Sequence, residues 1–279
     1  PWIDKVVLKC PHCGAKMHRI EDVGNPWLDA GIVPYSTVKY NEDRDYWKQW
    51  MPADLVLECF PGQFRNWFYS LLAMSTMMED MKPFKTLLGH ALVRDENGQQ
   101  MHKSTGNAIW FDDAAEQAGA DTMRWLYARQ DPEINLNFGY GPLREVRGGF
   151  INTLWNTYAF FANYARLENW VYPDAPTPFD ARTLFDQWIL TELQLLIKKC
   201  RHGFEHTDIR SAALAIEAFV ENLSNWYVRH NRKRFWKIEE NDEIKARAAF
   251  ETLFECLLTV AKLVAPILPF LAESIYQNL

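Results

Sequence analysis

The hydrophobic pattern divides the chain into two parts of different texture. In the first part, short apolar runs alternate with helical ones and with turn residues. The run Asp54-Leu-Val-Leu-Glu-Cys-Phe60 has polar ends and an apolar centre, which is typical of a buried parallel strand. A helix is predicted from Phe64 to Met81, a second strand from Thr86 to Val93, and a turn at Asp95-Glu-Asn-Gly98. Strand, helix and strand in this order predict one βαβ unit of a parallel sheet.

Beyond Pro142 the pattern becomes helical. Four amphipathic helices are predicted from apolar residues that recur every three or four positions, namely Phe150, Leu154, Tyr158, Phe161 and Ala165; Phe185, Trp188, Ile189, Leu193 and Leu196; Ile216, Phe219, Val220, Leu223 and Tyr227; and Phe250, Leu253, Phe254, Leu257 and Leu258. Helices joined by short links favour an antiparallel bundle. The predicted fold class is therefore α/β followed by all-α, with domains at residues 1–143 and 144–279.

Composition and charge limit the classes of protein to which the chain can belong. Hydrophobic residues make up 48% of the chain, enough for a packed core and too many for a disordered protein. The net charge is −6, which excludes a general electrostatic attraction to nucleic acid. Any contact with RNA must therefore come from a local basic cluster.

One segment carries such a cluster. We call Asn225-Trp-Tyr-Val-Arg-His-Asn-Arg-Lys-Arg-Phe-Trp236 the basic segment; its cations are Arg229, Arg232, Lys233 and Arg234, with Lys237 next to it, and Trp226 and Trp236 flank them. On a helix, Arg229, Arg232 and Lys233 share one face. Cations interleaved with aromatic rings are typical of surfaces that grip phosphates and stack bases. The alternatives are pairing inside the domain with Glu239, Glu240, Asp242 and Glu243, or bracing of the junction between domains.

The apolar stretches and the cysteines suggest a cytoplasmic protein. The most apolar stretch, residues 256–272, contains Lys262 and two prolines and is shorter than the ~20 residues of a membrane span. Five cysteines at irregular spacing, with no secretion signal, indicate reduced thiols. Since the chain begins at Pro1, it is expected to be part of a longer protein.

Cys10-Pro-His-Cys13 supplies half of a zinc site. Structural zinc needs four ligands. His12, His18 and Cys59 are further candidates, but none has the spacing of a known zinc motif. A remnant knuckle without metal and a site completed by residues outside this chain both remain open.

The segment Gly98-Gln-Gln-Met-His-Lys-Ser-Thr-Gly-Asn107, which we call the signature loop, offers the most specific chemistry. It provides Lys103 as a mobile cation, Ser104 as a hydroxyl donor and Gly106 for close backbone approach. Such a loop can wrap a polyphosphate and neutralise the charge that moves onto a leaving pyrophosphate. From composition alone, a solvated surface turn is the alternative.

This loop resembles the Lys-Met-Ser-Lys-Ser signature of class I aminoacyl-tRNA synthetases. Met101, Lys103, Ser104, Gly106 and Asn107 match the signature and the Gly-Asn that often follows it, while Gln100 stands for its first Lys and His102 for its first Ser. The resemblance implies that His102, Lys103 and Ser104 serve catalysis and that Met101, Gly106 and Asn107 bind ATP. Compared with the family signature, this loop has one fewer cation that can face the phosphates, unless His102 is protonated.

Other segments resemble the isoleucine type of this family, in the family's order. The stretch from Pro1 to Gly14 resembles the re-entry into the catalytic domain after the editing insertion. Asn25-Pro-Trp-Leu-Asp-Ala-Gly31 resembles the Val-Trp-Phe-Asp-Ser-Gly box, and Glu58-Cys-Phe-Pro-Gly-Gln-Phe-Arg-Asn-Trp-Phe68 resembles the strand end Glu-Gly-x-Asp-Gln-x-x-Gly-Trp-Phe. The basic segment resembles Trp-Tyr-x-Arg-x-x-Arg-x-Arg-Phe-Trp in the anticodon-binding bundle.

The resemblance implies roles for these positions. Glu58 and Gln63 would contact the aminoacyl-adenylate, and Trp27 and Trp67 would wall the amino-acid pocket; simple core packing is the alternative for both indoles. Trp226, Arg229, Arg232, Lys233, Arg234 and Trp236 would bind tRNA. The fold implied is the second half of a Rossmann-like nucleotide-binding domain with a zinc-knuckle-like start at Cys10 and Cys13, followed by the anticodon-binding bundle.

The function implied is that of an isoleucine–tRNA ligase that uses ATP and Mg²⁺ and is monomeric at full length. The family's His-Ile-Gly-His signature does not occur in these 279 residues, so this chain alone is expected to be inactive. Two alternatives remain. One is a diverged paralogue that activates valine or an unusual amino acid, and the other is a tRNA-binding protein without ATP chemistry.

Overall fold

A computed structural model of the chain describes residues 2–20, 24–236 and 243–279. The chain forms two compact units. The first contains Pro1–Leu92 and Pro132–Ile134, and the second contains Val93–Asp131 and Asn135–Leu279. Residues 93–131 thus pack in the same unit as the helical part. These two units are defined by contacts in space. The boundary between the two domains predicted from the sequence, at residues 143/144, stays a prediction.

The first unit is built around one βαβ unit. Its elements are β1 (Leu8–Lys9), β2 (Lys16–Met17), α1 (Pro26–Gly31), α2 (Val33–Ser36), α3 (Arg44–Trp50), β3 (Ala53–Cys59), α4 (Phe60–Gln63), α5 (Trp67–Glu79) and β4 (Phe84–His90). Strands β3 and β4 pair in parallel from Ala53↔Phe84 to Cys59↔His90, as the apolar runs predict. The predicted strand at 86–93 is interrupted, because β4 ends at His90 and a separate strand begins at Val93.

A close approach of two helices positions the indoles of the first unit. A Cβ atom on Gly31 would lie 2.8 Å from the backbone of Ser70, so only glycine allows α1 to lie this near α5. The Trp67 indole Nε1 donates to the Ala30 carbonyl at 3.1 Å across the same contact. Asn25 caps α1 by accepting from the Trp27 N–H at 3.0 Å.

The second unit is mainly helical. Its elements are β5 (Val93–Asp95), α6 (Phe111–Ala118), α7 (Ala120–Arg129), β6 (Leu136–Phe138), α8 (Tyr140–Val146), α9 (Asn152–Leu167), α10 (Leu184–Glu205), α11 (Ile209–Asn222), α12 (Arg229–Asn231), α13 (Lys233–Trp236), α14 (Glu243–Val264) and α15 (Pro269–Gln277). Two π-helical turns, Arg147–Ile151 and Leu223–Val228, join α8 to α9 and α11 to α12. Strands β5 and β6 pair in parallel. The predicted four helices correspond to α9, α10, α11 and α14.

One core runs through the whole second unit, from α6 to α15. Trp125 of α7 is fully buried and stacks on Phe150 with ring centroids 4.1 Å apart. Arg124 of α7 donates to the Ile267 carbonyl at 2.6 Å, and Asp121 accepts from the Leu271 N–H at 2.7 Å. Helix α7, which follows α6, is therefore fastened to the connection between α14 and α15 and to the first turn of α15. Among the described residues, no helix has the length and apolarity that crossing a membrane requires.

Candidate functional site

The signature loop is held by two polar side chains at its ends. Asn107 receives hydrogen bonds from the His102 N–H at 3.0 Å and the Thr105 hydroxyl at 2.7 Å. Its amide donates to the Asp95 carboxylate at 2.9 Å and to the Gln100 carbonyl at 3.0 Å. Asp95 also accepts from the backbone of the predicted turn, including the Gln99 N–H at 2.8 Å. The four hydrogen bonds of the Asn107 side chain therefore fix the conformation of the loop.

The same contacts fix the charge of Asp95. The hydrogen bond from Asn107, followed by those from the backbone N–H groups of Gln99 and Asn97, lowers the pKa of the Asp95 carboxyl. A carboxylate at this point keeps the loop closed at its base. The sequence predicted the turn at residues 95–98 but not this role of Asp95.

The side chains at the tip of the loop face outward. His102, Lys103 and Ser104 are all exposed, and residues Lys103–Thr105 form one 3₁₀ turn. Gly106 closes this turn with φ +74°, a left-handed conformation that favours glycine. The Lys103 ammonium lies 4.8 Å from the centre of the Trp110 ring, which is 57% exposed. This cation–π contact places the lysine at the surface, where an anion can reach it.

Met101 differs from the other loop residues. Its side chain is half-buried and packs against the core of the second unit, so it anchors the loop to that core. Its predicted part in ATP binding stays a prediction.

In the first unit, the residues predicted to contact the adenylate lie at and after the carboxyl end of β3. Glu58 is half-buried, and one of its carboxylate oxygens accepts from the Cys59 N–H at 2.8 Å. The Gln63 side-chain oxygen accepts from the Trp67 N–H at 3.2 Å and so caps α5. Carboxyl ends of parallel strands are where α/β folds bind ligands. The location suits the predicted role, while Gln63 also has a structural one.

Trp27 and Trp67 are both half-buried. They are linked through α1, because the Trp67 indole donates to Ala30, three residues after Trp27. Neither indole belongs to the fully buried core. Partly exposed rings on adjoining helices are compatible with the wall of a pocket, and that role stays a prediction.

The cysteine knuckle has the geometry of a turn between two short strands. Strands β1 and β2 pair antiparallel, and Gly14, with φ +72°, closes the turn between them. Backbone N–H groups of Cys13 and His12 lower the pKa of the Cys10 thiol. Among the described residues, however, no group of three or more His, Cys, Asp or Glu side chains could hold a metal. Cys10 and Cys13 thus provide two ligands where structural zinc needs four.

The basic segment presents an exposed charged face and a buried apolar one. Tyr227, Val228 and Phe235 are buried. Arg229, Arg232 and Lys233 are exposed on the other face, and so are Trp226 and Trp236, at 57% and 44%. Among the described residues, no side-chain hydrogen bond or ion pair engages the three cations, so no described residue competes with a phosphate group for them.

Arg234 has different surroundings from its neighbours. Its guanidinium donates to both carboxylate oxygens of Asp186, at 2.9 and 2.8 Å, and the Asp186 side chain is fully buried. The Tyr227 hydroxyl donates to the same carboxylate at 2.6 Å, and the Thr183 hydroxyl donates at 2.7 Å. This network joins the start of α10 to α13. The acidic partner is Asp186, which is not one of the carboxylates named in the alternative of pairing inside the domain, and that alternative stays a prediction.

The buried network sets the ionisation of two groups. Burial alone would raise the pKa of Asp186, but the hydrogen bonds and positive charge of Arg234 lower it below its usual value. Burial and the neighbouring Asp186 raise the pKa of Tyr227 well above its usual value. Asp186 is therefore an anion held by Arg234. Lys237 of the predicted cluster and Glu239, Glu240 and Asp242 of the pairing alternative lie outside the described residues. Glu243, the fourth carboxylate of that alternative, begins α14 and is exposed.

Known family models match both parts of the chain. Residues 3–138 match the model described as tRNA synthetases class I (I, L, M and V). Residues 186–279 match the anticodon-binding domain of tRNA ligase. The two matches follow each other in the order that the sequence predicts, and the α/β and then all-α fold class is confirmed.

Individual curated proteins of the same family are also similar to the chain. The chain is 40% identical over 283 residues to the isoleucine–tRNA ligase of Clostridium novyi, and 40% identical over 284 residues to that of Thermus thermophilus. Each alignment covers 100% of this chain and 27% of the relative, so the chain spans about a quarter of the length of these curated relatives.

Solved structures share the fold at low sequence identity. Mycobacterium tuberculosis methionyl-tRNA synthetase in complex with methionyl-adenylate matches with a TM-score of 0.77 and 18% identity, over 96% of this chain and 51% of that one. Agrobacterium radiobacter LeuRS, in a ternary complex with tRNA and LeuAMS, matches with a TM-score of 0.69 and 17% identity, over 99% of this chain and 33% of that one. With its signature loop, its strand-end carboxylate and its helical bundle in the family's order, the chain belongs to the class I aminoacyl-tRNA synthetases.

Proposed function

We propose that this chain is part of an isoleucine–tRNA ligase and contributes the signature loop and the tRNA-binding helices to it. The observation that carries the proposal is the identity of 40% to isoleucine–tRNA ligases along the whole chain. The reaction has two steps. The carboxylate of isoleucine attacks the α-phosphate of ATP to give the aminoacyl-adenylate and pyrophosphate. The acyl group then passes to a hydroxyl of the terminal ribose of tRNA, and AMP leaves.

In the first step, the loop supplies charge where charge develops. Lys103 is exposed on a turn whose base is fixed by Asn107 and Asp95, so its ammonium can move onto the phosphates without disturbing the loop. Ser104 and His102 lie beside it and can donate further hydrogen bonds. Because negative charge grows on the leaving pyrophosphate, a cation there stabilises the transition state more than the bound substrate.

Residues of the first unit would hold the activated amino acid. Glu58 has a second carboxylate oxygen that can accept from the ribose hydroxyls, and Trp27 and Trp67 offer apolar ring faces to a branched side chain. Such a pocket discriminates poorly between isoleucine and valine, since one methylene is worth ~1–3 kcal/mol. Class I synthetases use ATP with Mg²⁺. The ATP phosphates would supply ligands of this ion.

The basic segment would bind tRNA through its exposed face. Trp226, Arg229, Arg232, Lys233 and Trp236 are accessible there. Arg234 supports that face from behind, since its guanidinium is occupied by Asp186. Isoleucine tRNA is the proposed partner, and a monomer in the cytoplasm is the proposed state of the full-length enzyme.

Amino-acid-dependent exchange of pyrophosphate into ATP tests this function in the full-length protein. We expect exchange that depends on isoleucine, together with charging of isoleucine tRNA. Exchange with a different amino acid only would identify a diverged paralogue, to which Gln100 and His102 in the loop would then be relevant. No exchange with any amino acid, but retained tRNA binding, would identify a binding protein and refute the ligase.

A further inference from the structure

Three aromatic rings on the surface of the second unit are stacked one on another. Trp226 of the π-helical turn and His230 of α12 have ring centroids 5.3 Å apart and planes 11° from parallel. His230 and Phe185 of α10 have centroids 5.9 Å apart and planes 16° from parallel. We call these three side chains the aromatic stack. Offset, nearly parallel rings at this spacing attract each other beyond simple contact.

The backbone fixes the stack in place. The Arg229 N–H reaches back five residues to the Ser224 carbonyl, which widens the helix by one residue at this point. Tyr227 and Val228 consequently face the core, whereas Trp226 faces outward. The Nδ1 atom of His230 lies 2.8 Å from the Trp226 carbonyl oxygen, and the N–H donates to it. The imidazole is thus oriented by the same turn that exposes the indole.

The stack has one open end. Phe185 is covered edge-on by Trp188, with centroids 6.3 Å apart and planes at 89°. Trp226 makes no ring contact other than that with His230 in the described part of the chain, and it is 57% exposed. An indole face that continues a row of parallel rings is a platform for another flat ring.

The charges around the open end favour a nucleotide. Arg229 and Lys233 are exposed and lie three and seven residues after Trp226, on the same side of the helical segment. A base stacked on an indole carries a phosphate on either side, so nearby cations complement it. A paired base is already covered by its neighbours within a stem. The flat ring that fits this platform is therefore an unpaired base.

We propose that the aromatic stack is a binding site for one unpaired base of the tRNA, which continues the row on the face of Trp226, while Arg229 and Lys233 hold its flanking phosphates. This rests on the proposed binding of tRNA by the basic segment. It adds a contact that depends on ring stacking rather than on charge, and it brings Phe185 and His230 into the interface.

Binding of two RNA probes by the full-length protein tests the proposal. The first probe is a hairpin with the loop sequence of an isoleucine anticodon arm, in which 2-aminopurine replaces one loop purine. The second is a fully paired duplex of the stem sequence. We expect Trp226→Ala to weaken hairpin binding about 5- to 150-fold, the range for losing one stacked base. It should leave duplex binding unchanged, and the salt dependence of hairpin binding as well.

Two further variants serve as controls, one that keeps an aromatic ring at position 226 and one that removes an exposed indole elsewhere on the protein. Trp226→Phe keeps a stacking ring and should retain most of the affinity. Trp155→Ala removes an indole that is 42% exposed on α9, outside the stack, and should bind like the wild type. Melting temperatures of all three variants should match that of the wild type.

The outcomes separate this proposal from tRNA binding itself. If Trp226→Ala binds the hairpin as tightly as the wild type, while neutralising Arg229, Arg232 and Lys233 weakens it, the stacking proposal is refuted and tRNA binding stands. If neither change has an effect, the tRNA contact is refuted as well. Equal losses for hairpin and duplex, or a lower melting temperature that Trp226→Phe does not restore, would make Trp226 a scaffold residue and also overturn the stacking site.

Discussion

The signature loop and the basic segment both expose cations, yet the structure builds them differently. Lys103 of the loop lies against Trp110, and the exposed cations of the basic segment lie between Trp226 and Trp236. The loop is shaped by hydrogen bonds between near neighbours, since Asp95 and Asn107 are 12 positions apart. The basic segment is fixed by a buried ion pair between Arg234 and Asp186, which are 48 positions apart. A loop held locally can move its cation onto a ligand, whereas a helix held by the core presents its cations at fixed positions.

The largest expected effect concerns the buried pair. Arg234→Gln removes the counter-charge of a fully buried carboxylate, and breaking such a pair costs about 3–5 kcal/mol in the free energy of unfolding. Arg232→Gln, two positions away and exposed, is the matched control and should change it little. Urea unfolding of the two variants measures the difference. Equal stabilities would show that the pair does not hold the segment.

The same variant should change the response to acid. Because the folded-state pKa of Asp186 is lowered, its contribution to stability is present above the unfolded-state pKa and is lost as the pH falls through the lowered folded-state value. Without Arg234 the main cause of the lowering is gone. The acid-unfolding midpoint of Arg234→Gln should therefore lie at higher pH than that of the wild type. A midpoint that does not move would contradict the assignment of Arg234 as the partner.

The next effect concerns the loop cation. Lys103→Ala should slow the activation step by about 10²–10³-fold, which is typical for losing one transition-state contact, and should change amino-acid binding far less. Lys198→Ala, an exposed lysine of α10, is the control. Pyrophosphate exchange by the full-length variants gives both parameters. An unchanged rate would rule Lys103 out as the phosphate-directed cation.

A smaller effect is expected from the loop's internal support. Asn107→Ala removes four hydrogen bonds, each worth ~1 kcal/mol at most in an exposed loop, and should lower kcat/KM for ATP about tenfold through poorer positioning of Lys103. The pKa of Asp95 should rise, since its first stabilising contact is lost. NMR titration of that carboxyl provides the readout independent of activity. A normal kcat/KM with an unshifted pKa would refute the support role.

The smallest effect concerns the cation–π contact between Lys103 and Trp110. Exposed cation–π contacts are worth ~0.5–1 kcal/mol. Trp110→Leu removes a competitor for the ammonium in the ligand-free loop, so the KM for ATP should fall about two- to fivefold. A rise in KM would mean that the ring orients the lysine productively.

The difference between contacts among near neighbours and contacts between distant residues explains which features the sequence could predict. Local patterns suffice for the βαβ unit, the turn after Asp95 and the amphipathic helices, because each depends on neighbours along the chain. The break between β4 and β5 was not predicted, because the pattern predicts one strand over residues 86–93, although Gly89 and His90 interrupt the apolar residues where β4 ends. The structural role of Arg234 depends on Asp186, a distant aspartate that nothing in the basic segment points to.

The residues that sequence reasoning missed have the same explanation. Trp110 lies just outside the signature loop, and Phe185 and His230 come together only through the packing of α10 against α12. His230 lies four positions after Trp226, a spacing that places two side chains on one face of a helix, so this pair could have been found from the sequence, whereas its contact with Phe185 could not. The π-helical turn that ends before His230 leaves no clear signal in the hydrophobic spacing.

The salt dependence of tRNA binding tests most directly the claim that the basic segment divides into a ligand-facing and a supporting set. The variant with Arg229→Gln, Arg232→Gln and Lys233→Gln is compared with the wild type at a series of salt concentrations. Each lost phosphate contact lowers the slope of log affinity against log salt by about 0.7–0.9. We predict weaker binding, a slope reduced by about two and an unchanged melting temperature. Wild-type affinity and slope, or a loss of stability in place of a change in slope, would contradict the account.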